Sequence, residues 1–234
     1  MLEQHVIKFG FDSREKRSAE YYRGFAANSG NRSLPNILFW RNSDNKSICE
    51  TPEVRWVPSY KGFSIVASEG FGEDLNSSVS QLMGAFLGTE LNAFEVARRS
   101  QRVDAVEVDD IISYRASRVI YDASKRAVSA FREKSVKEQK EILTEYLKAE
   151  LIREAECWGV DESVFIDNAN HIIVQEVFSL APVKVKDKSS SETKRMLARY
   201  DIKFSMPIQL KGVWQVGRQR SKGYGVIRPE HKGG

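Results

Sequence analysis

Residues 202–227 read IKFSMPIQLKGVWQVGRQRSKGYGVI and give the clearest indication of the fold in this 234-residue chain. Apolar side chains occupy every second position of its first half, namely Ile202, Phe204, Met206, Ile208 and Leu210. Tyr200, two residues before the stretch, continues the same alternation. This alternation predicts a long strand with one buried face. Pro207 within the strand predicts an edge position or a bulge. A glycine-rich loop follows at residues 217–225, and residues 224–227 predict a short closing strand.

The loop GRQRSKGYG combines three glycines with three cations and a tyrosine. Glycine lets the backbone adopt positive φ, and successive N–H groups in such a turn form a concavity for phosphate oxygens. Cations add phosphate contacts, and the aromatic ring offers a surface on which a base can stack. The loop therefore predicts binding of a nucleic-acid backbone through Gly217, Arg218, Arg220, Lys222, Gly223, Tyr224 and Gly225. The alternative is an ordinary turn between strands whose basic residues are only solvated.

Positive charge is concentrated at the C-terminal end of the chain. From residue 184 onward, 13 Lys and Arg stand against 4 Asp and Glu, a net charge of +9, although the whole chain carries only +4. The preceding part is therefore net −5. A field concentrated at one end attracts a polyanion better than the same charge spread evenly. The alternative is a basic surface without a ligand.

Composition predicts a cytoplasmic protein that can bury a substantial core. The chain is 41% hydrophobic, has no recognisable targeting segment and has no apolar run of membrane-spanning length. Cys49 and Cys157 lie far apart without CxxC spacing, which argues against a zinc site and a disulfide framework. No metal or cofactor is predicted, and no membrane partner.

Strand and helix patterns alternate in the first part of the chain. The predicted elements are a strand at residues 5–11, a helix at 14–25, an apolar run at 36–40, a hairpin at 54–68 turning near Lys61, and a helix at 77–99. This order predicts a ferredoxin-like module over residues 1–108.

A helical segment is predicted over residues 109–158. On a helical wheel, one face of its first half is apolar and the opposite face is a cationic stripe formed by Arg115, Arg118, Lys125, Arg126 and Arg132. Such a stripe can lie against a nucleic-acid backbone, or it can be a solvated face. A second helix at residues 137–157 carries mixed charges outside an apolar stripe and is predicted to be structural.

Strands return in residues 159–234, the predicted C-terminal module with the glycine-rich loop. Residues 172–180 predict a strand, residues 186–194 a mobile polar connection, and the next few residues a short helix ending at Arg199. The long alternating strand follows.

The run at residues 202–227 resembles the closing segment of the CRISPR-associated RAMP superfamily, whose members carry a glycine-rich, basic loop before their last strand. The resemblance implies an α+β fold of two RRM-like or ferredoxin-like modules, here with an inserted basic helical segment. It also implies CRISPR repeat RNA or crRNA and other CRISPR effector subunits as partners. The leading candidates are the endoribonucleases that cut precursor CRISPR RNA, with a type IV member favoured by the arginine-rich segment.

Cleavage by the adjacent 2′-hydroxyl requires an aligned backbone, cations around the phosphorus and proton transfer, but no metal. Because arginine stays protonated, it would align the phosphate and stabilise developing negative charge. Relatives often carry a catalytic histidine near the first helix, but residues 14–30 contain none. The predicted catalytic residues are Arg23, Arg41, Arg220 and Tyr22, with Tyr21 and His5 as other candidates for proton transfer.

Two further functions stay open at the level of sequence. One is a non-catalytic RAMP subunit that caps or spans the guide RNA in an effector complex, since such subunits share the terminal loop. The other is an unrelated RRM-like RNA-binding protein, although its usual aromatic strand motifs are not evident.

Overall fold

The structure, a computed structural model, describes residues 3–11, 17–28, 34–44, 46, 48, 50–87, 94–121, 125–186 and 194–230. Its first sheet contains β1 (Glu3–Phe11), β2 (Val54–Ser59), β3 (Gly62–Ser68) and β4 (Phe94–Arg102). Its second sheet contains β5 (Asp104–Val119), β6 (Ile173–Lys186), β7 (Lys194–Lys211) and β8 (Val226–Pro229). The helices are α1 (Ala19–Asn28), α2 (Gly72–Ser77), α3 (Val79–Phe86), α4 (Lys125–Arg132), α5 (Val136–Trp158) and α6 (Ser163–Asp167).

The first sheet has the order β2-β3-β1-β4, and its pairs are antiparallel. Its core is aromatic: Phe9 stacks on Phe63 at a centroid distance of 4.9 Å, and Phe63 stacks on Trp56 at 4.7 Å. Helix α1 places Tyr22 in this core, and α3 contributes Phe86. The strand at the start of the chain and the hairpin of β2 and β3 confirm the predictions for those residues.

The second sheet has the order β6-β7-β5-β8, again antiparallel. Long β7 buries Ile202, Phe204, Met206 and Ile208, which confirms the predicted alternation. Helix α5 covers this face with leucines spaced four residues apart, at 143, 147 and 151. A capping box at Ser135 begins α5 and Gly159 in the left-handed conformation ends it.

Pro207 lies where the pairing of β7 is irregular. On one side, β6 pairs with β7 only as far as Ser205. On the other side, the register of β5 shifts between Glu107 and Ile112, which face Ile208 and Met206. A bulge accommodates the missing proline N–H, so the predicted bulge is confirmed.

The prediction of a helix beginning near residue 110 is wrong, because residues 104–119 form strand β5. Arg115 and Arg118 therefore lie on a strand, and only Arg132 among the described side chains of the cationic stripe lies on α4. Two register shifts interrupt β5, one before Ile112 and one after Ala116. Each shift breaks the two-residue alternation, and the remaining apolar spacing matches a helix by coincidence.

Two smaller predictions also fail. Residues 94–102, predicted as the end of a helix, form the edge strand β4, whose side chains are mostly exposed on both faces and so show no alternation. Residues 194–199, predicted as a short helix, begin β7. Most of the polar connection, residues 187–193, lies outside the described residues, as do residues 12–16 at the predicted start of the first helix.

The two sheets share a core. Val6, Val57 and Val66 of the first sheet belong to the same buried cluster as the second sheet and α5. Gln4 is buried between them, and its side chain donates to the carbonyl of Val213 at 2.9 Å. The two four-stranded antiparallel sheets with their helices confirm the predicted α+β class with two ferredoxin-like units. None of the described helices is long and apolar enough to cross a membrane.

Candidate functional site

The glycine-rich loop is held against the first sheet by close backbone contacts. Gly217, Gly223 and Gly225 have φ of +88°, +82° and +72°, a conformation that other residues rarely adopt. A Cβ on Gly223 would lie 2.5 Å from the carbonyl oxygen of Trp56, and one on Gly225 would collide with the carbonyl of Val216. These glycines therefore permit close approach within the protein, while the predicted phosphate concavity stays a prediction.

Arg220 points inward from the loop and is 5% exposed. Its guanidinium binds Glu150 and, at 2.8 Å, Glu154, both on α5. Burial by itself would lower the pKa of Arg220, but the two carboxylates raise it above its ordinary value. The predicted role of Arg220 in phosphate binding and catalysis is thus replaced by a structural one, because its donors are already engaged.

Glu154 is the centre of this network. It also binds Arg55 of β2, and it accepts from the indole of Trp158 at 3.0 Å and from the backbone N–H of Gln215 at 2.9 Å. Burial alone would raise the pKa of Glu150, but the Arg220 charge and the hydrogen bonds that it receives lower it. The network connects the first sheet, α5 and the loop through buried charged groups.

Tyr224 is buried as well, with 0% exposure. Its hydroxyl donates to Glu20 of α1, and the guanidinium of Arg118 lies 4.4 Å from its ring centroid. Burial, together with the Glu20 carboxylate, raises the pKa of Tyr224 to about 12. The prediction that this ring stacks on a base is wrong for this structure, since no face of it is exposed.

Three cations predicted from sequence do come together: Arg23 of α1, Arg41 after the 3₁₀ helix Asn36–Phe39, and Lys222 of the loop. Burial first, and then the charge of Arg41, lower the pKa of Arg23 to about 10. Burial, followed by Arg23 and then Arg41, also lowers the pKa of Lys222, while Glu20 opposes the shift. We call Arg23, Arg41 and Lys222 the cationic cluster. Glu20 is the carboxylate that adjoins it.

The members of the cluster are fixed by neighbouring residues. Arg23 donates to the carbonyl of Phe39 and lies 5.5 Å from the centroid of its ring. Arg41 lies 6.0 Å from the same ring. Buried Nε of Arg23 has no hydrogen-bond partner among the described residues. Like charges held this close disfavour one another, and the Glu20 carboxylate partly offsets their repulsion.

The three candidates for proton transfer have different surroundings. Tyr22 is 1% exposed and stacks on Phe11 at 4.9 Å, and burial raises its pKa. Its predicted catalytic role is therefore corrected to packing. His5 lies in β1, where its Nδ1 is 3.2 Å from the hydroxyl of Ser100. Tyr21, by contrast, lies on the partly exposed side of α1, beneath the guanidinium of Arg17 at 4.4 Å.

The remaining predicted RNA contacts are dispersed. Arg115 binds Glu230 at 3.0 Å on the outer face of the second sheet, and Arg118 lies 3.9 Å from Glu20. Arg218 is exposed, while its backbone N–H donates to the carbonyl of Ile120 at 3.0 Å. Arg132 is exposed at the end of α4. The side chains of Lys125 and Arg126 lie outside the described part of the structure.

Sequence reasoning missed the acidic residues of the site. Glu20 was overlooked in a basic segment, and Glu150 and Glu154 were interpreted as part of a solvated face. Their spacing of four residues places both on one side of α5, directly beside the leucine stripe. Their position beside the leucines indicates that these carboxylates are partly buried. Their partner, Arg220, lies 66–70 residues away in sequence, so the sequence does not identify the pair.

Comparisons with known proteins agree with this architecture. The family model of the type IV CRISPR-associated endonuclease Csf5 matches residues 2–232. Among solved structures, a type IV Cas6 crRNA endonuclease, Csf5, superimposes with a TM-score of 0.77 at 18% identity, over 98% of this chain and 100% of that chain.

Two structures of Cas6b also resemble the chain. One has a TM-score of 0.64 at 14% identity, over 98% of this chain and 99% of that chain. The other, a CRISPR RNA processing endoribonuclease, has a TM-score of 0.57 at 12% identity, over 98% and 100%. At these identities the likeness shows a shared fold. No curated protein sequence matches the chain significantly.

Proposed function

We propose, from the premise that this chain belongs to the family of the type IV CRISPR-associated endonuclease Csf5, that it cuts precursor CRISPR RNA within its repeats. The family supports a role in CRISPR RNA processing. The finer proposal is that cleavage proceeds by attack of the 2′-hydroxyl beside the scissile phosphate, needs no metal ion, and leaves the protein bound to the product hairpin.

The cationic cluster is the observation that carries this proposal. Three separate parts of the chain, α1, the 3₁₀ helix region and the glycine-rich loop, bring Arg23, Arg41 and Lys222 within mutual electrostatic range. Holding these charges together costs free energy, since Arg41 lowers the pKa of Arg23, and Arg23 and Arg41 lower that of Lys222. A phosphate placed between them would relieve that cost and would be oriented by planar guanidinium donors.

The reaction needs little more than this arrangement. The 2′-oxygen forms a bond to phosphorus as its hydroxyl passes a proton to a water molecule of the solvent, and the bond from phosphorus to the 5′-oxygen breaks. Negative charge grows on the phosphoryl oxygens in the transition state, where Arg23 and Arg41 would stabilise it. The 5′-oxygen must gain a proton, and the lowered pKa of Lys222 makes its ammonium a better donor than an ordinary lysine.

RNA outside the cut site would bind to the basic C-terminal surface. Arg218 on the loop and Arg132 on α4 are exposed and can contact phosphates. We include Lys125, Arg126, Arg115 and Arg118 as candidate contacts, with the last two already paired to carboxylates. Such contacts would keep the product hairpin on the protein after the cut.

The test is cleavage of the cognate repeat RNA in the presence of a chelator. We expect products with a 5′-hydroxyl and a 2′,3′-cyclic phosphate, and no cut when the 2′-hydroxyl at that position is replaced by hydrogen. Arg23→Ala and Arg41→Ala should lower the single-turnover rate more than the affinity, because charge stabilisation grows in the transition state. Arg98→Ala, an exposed change on β4, is the control.

Cleavage of the deoxy-substituted RNA would contradict the mechanism. Tight binding without any cleavage would instead favour a guide-capping subunit of an effector complex, the second candidate. Its specific support is that Arg220 and Tyr22, two residues predicted to be catalytic, are held in an ion pair and in the aromatic core.

A further inference from the structure

A cavity of about 510 Å³ opens on α1 beside the cationic cluster. It is lined by Glu20, Tyr21, Gly24, Phe25 and Asn28, which are spaced three or four residues apart and so form one side of the helix. The volume lies within the range of roughly 300–1,000 Å³ that is usual for small-molecule sites. Glu20 lines this cavity and also adjoins the cluster, so the two share this residue.

Gly24 lies in the middle of α1 and lines this cavity. Glycine inside a helix is unfavourable relative to alanine. Its φ is not in the positive range, so no backbone conformation here requires glycine. A Cβ added at Gly24 would meet no atom of the described residues within 4 Å. Glycine at this position therefore leaves open space in which a ligand could lie close against the helix.

The other residues of the cavity suit an aromatic, polar-edged ligand. Tyr21 and Phe25 are partly exposed and their ring centroids are 6.4 Å apart, so the lining offers aromatic surface. Phe25 is supported from beneath by stacking on Phe86 at 5.5 Å, which fixes its orientation. Glu20 and Asn28, at either end, can exchange hydrogen bonds with the edge of a base.

We infer that this cavity binds one unstacked nucleobase of the RNA, next to the phosphate held by the cationic cluster. Gly24 lets the base or its sugar lie against the helix, and the aromatic lining supplies stacking. The inference rests on the proposed function, because it names how that site selects and orients its RNA. A base held here would fix the backbone on one side of the cut and so align the 2′-oxygen for attack.

The experiment combines substitutions of the protein with abasic RNA. A series of repeat RNAs, each lacking one base, is titrated with the parent protein, and one position near the cut should weaken binding about tenfold, as loss of a stacked base does. The Gly24→Leu variant, whose leucine fills the cavity, should bind intact RNA about tenfold more weakly than the parent. Removal of that same base should cause no further loss of affinity in this variant. This non-additivity identifies the base that occupies the cavity.

Gly84 of α3 provides a matched control. It is also a helical glycine whose added Cβ would meet nothing within 4 Å among the described residues, but it does not line the cavity. Gly84→Leu should therefore bind every RNA of the series as the parent does. Gly24→Ala and Gly84→Ala should both raise the melting temperature, since each removes a helical glycine, yet only Gly24→Ala should weaken binding and slow cleavage.

The outcomes separate the cavity from the proposed function. If Gly24→Leu retained the full penalty at the sensitive position, or if Gly24→Ala bound and cut RNA like the parent, the nucleobase site would be overturned while RNA processing stood. The nucleobase site would also be overturned if the parent protein bound repeat RNA and no single missing base weakened that binding. A parent protein that bound no repeat RNA at all would overturn the proposed function, and this site with it.

Discussion

Two cations separated by one residue have opposite environments in the glycine-rich loop. Arg220 is neutralised by Glu150 and Glu154, and its pKa rises. Lys222 faces Arg23 and Arg41, and its pKa falls, with burial as the largest cause. The loop therefore has one cation that two carboxylates neutralise and one that faces other cations, a division that a count of basic residues does not reveal.

Lys222→Arg distinguishes charge from proton donation. Arginine preserves the positive charge but is too weak an acid to protonate the 5′-oxygen. We expect repeat RNA affinity within about twofold of the parent and a single-turnover rate lower by about 10²-fold, the lower end of what a general acid contributes. Rate measurements with RNA in excess and with protein in excess separate these effects. An unchanged rate would limit Lys222 to electrostatic stabilisation.

Tyr224→Phe and Tyr22→Phe are a matched pair of hydroxyl deletions. Tyr224 donates to Glu20, which adjoins the cationic cluster, whereas Tyr22 packs in the aromatic core away from it. We therefore expect Tyr224→Phe to lower the cleavage rate by several-fold and Tyr22→Phe to leave it unchanged. Circular dichroism would verify that both variants fold. If only Tyr22→Phe slowed cleavage, the catalytic role of Tyr22 that the sequence predicts would be supported instead.

The site could be predicted from the sequence only in part, for a physical reason. Arg23, Arg41 and Lys222 were identifiable, since a phosphate site requires cations and these lie near glycines and aromatics. Glu20 and the carboxylates of α5 were not, because their significance depends on pairing across long sequence separations. Local patterns report burial and periodicity but carry no information on which distant charge will be a partner.

At the scale of elements, α5 determines where the loop lies. Its carboxylates at 150 and 154 bind Arg220, and Glu150 also accepts from the backbone N–H of Gly217 at 2.9 Å. A buried ion pair that loses one partner leaves a charge without compensation, at a cost of about 3–5 kcal/mol. The helix is thus both the cover of the second sheet and the support of the loop.

Glu154→Gln should lower the free energy of unfolding by about 3 kcal/mol, since Arg220 and Arg55 would each lose a charged partner. Glu145→Gln is the control on the same helix. Its pair with Lys148 is exposed, and such pairs contribute about 0–1 kcal/mol. Urea denaturation measures both. Similar small effects for the two variants would mean that the network does not support the fold.

The pH dependence of stability tests the same element. The folded protein holds the pKa of Glu150 below its ordinary value of 4.5, so ionised Glu150 contributes stability above that pH and the contribution is lost as the pH falls through the lowered pKa. The difference in unfolding free energy between the parent and Glu150→Gln should be largest near neutral pH and should shrink below about pH 4.5. A difference that stayed constant to pH 3 would contradict this account.

Elements with uninterrupted periodicity were predicted well, and those with irregular pairing were not. Strand β7 and helix α5 each keep one spacing of apolar residues over many positions, so the sequence indicates which of their residues are buried. Strand β5 contains two register shifts, which displace its apolar residues onto a helical spacing. Edge strand β4 has little buried surface and therefore no pattern to detect.

At the scale of the whole molecule, Arg55 of β2 is the link between the first sheet and the network. It binds Glu154, donates to the carbonyl of Pro52 and lies 4.3 Å from the ring centroid of Trp158. Through Glu154 it is connected to Arg220, so one chain of buried groups runs from the first sheet to the loop. The cationic cluster is assembled from both ends of that chain, with Arg23 on the first unit and Lys222 on the loop.

Arg55→Leu should therefore impair assembly of the cationic cluster as well as stability. Glu154 would retain Arg220 and Trp158, so the second unit should remain folded while its coupling to the first weakens. We expect thermal unfolding to broaden or to separate into two transitions by calorimetry, and cleavage to fall more than RNA binding. Arg102→Leu is the control, since Arg102 also pairs across the two sheets, with Asp104 at 2.8 Å, but its own side chain is 54% exposed. A single sharp transition at the parent temperature would show that the shared apolar core alone couples the two units.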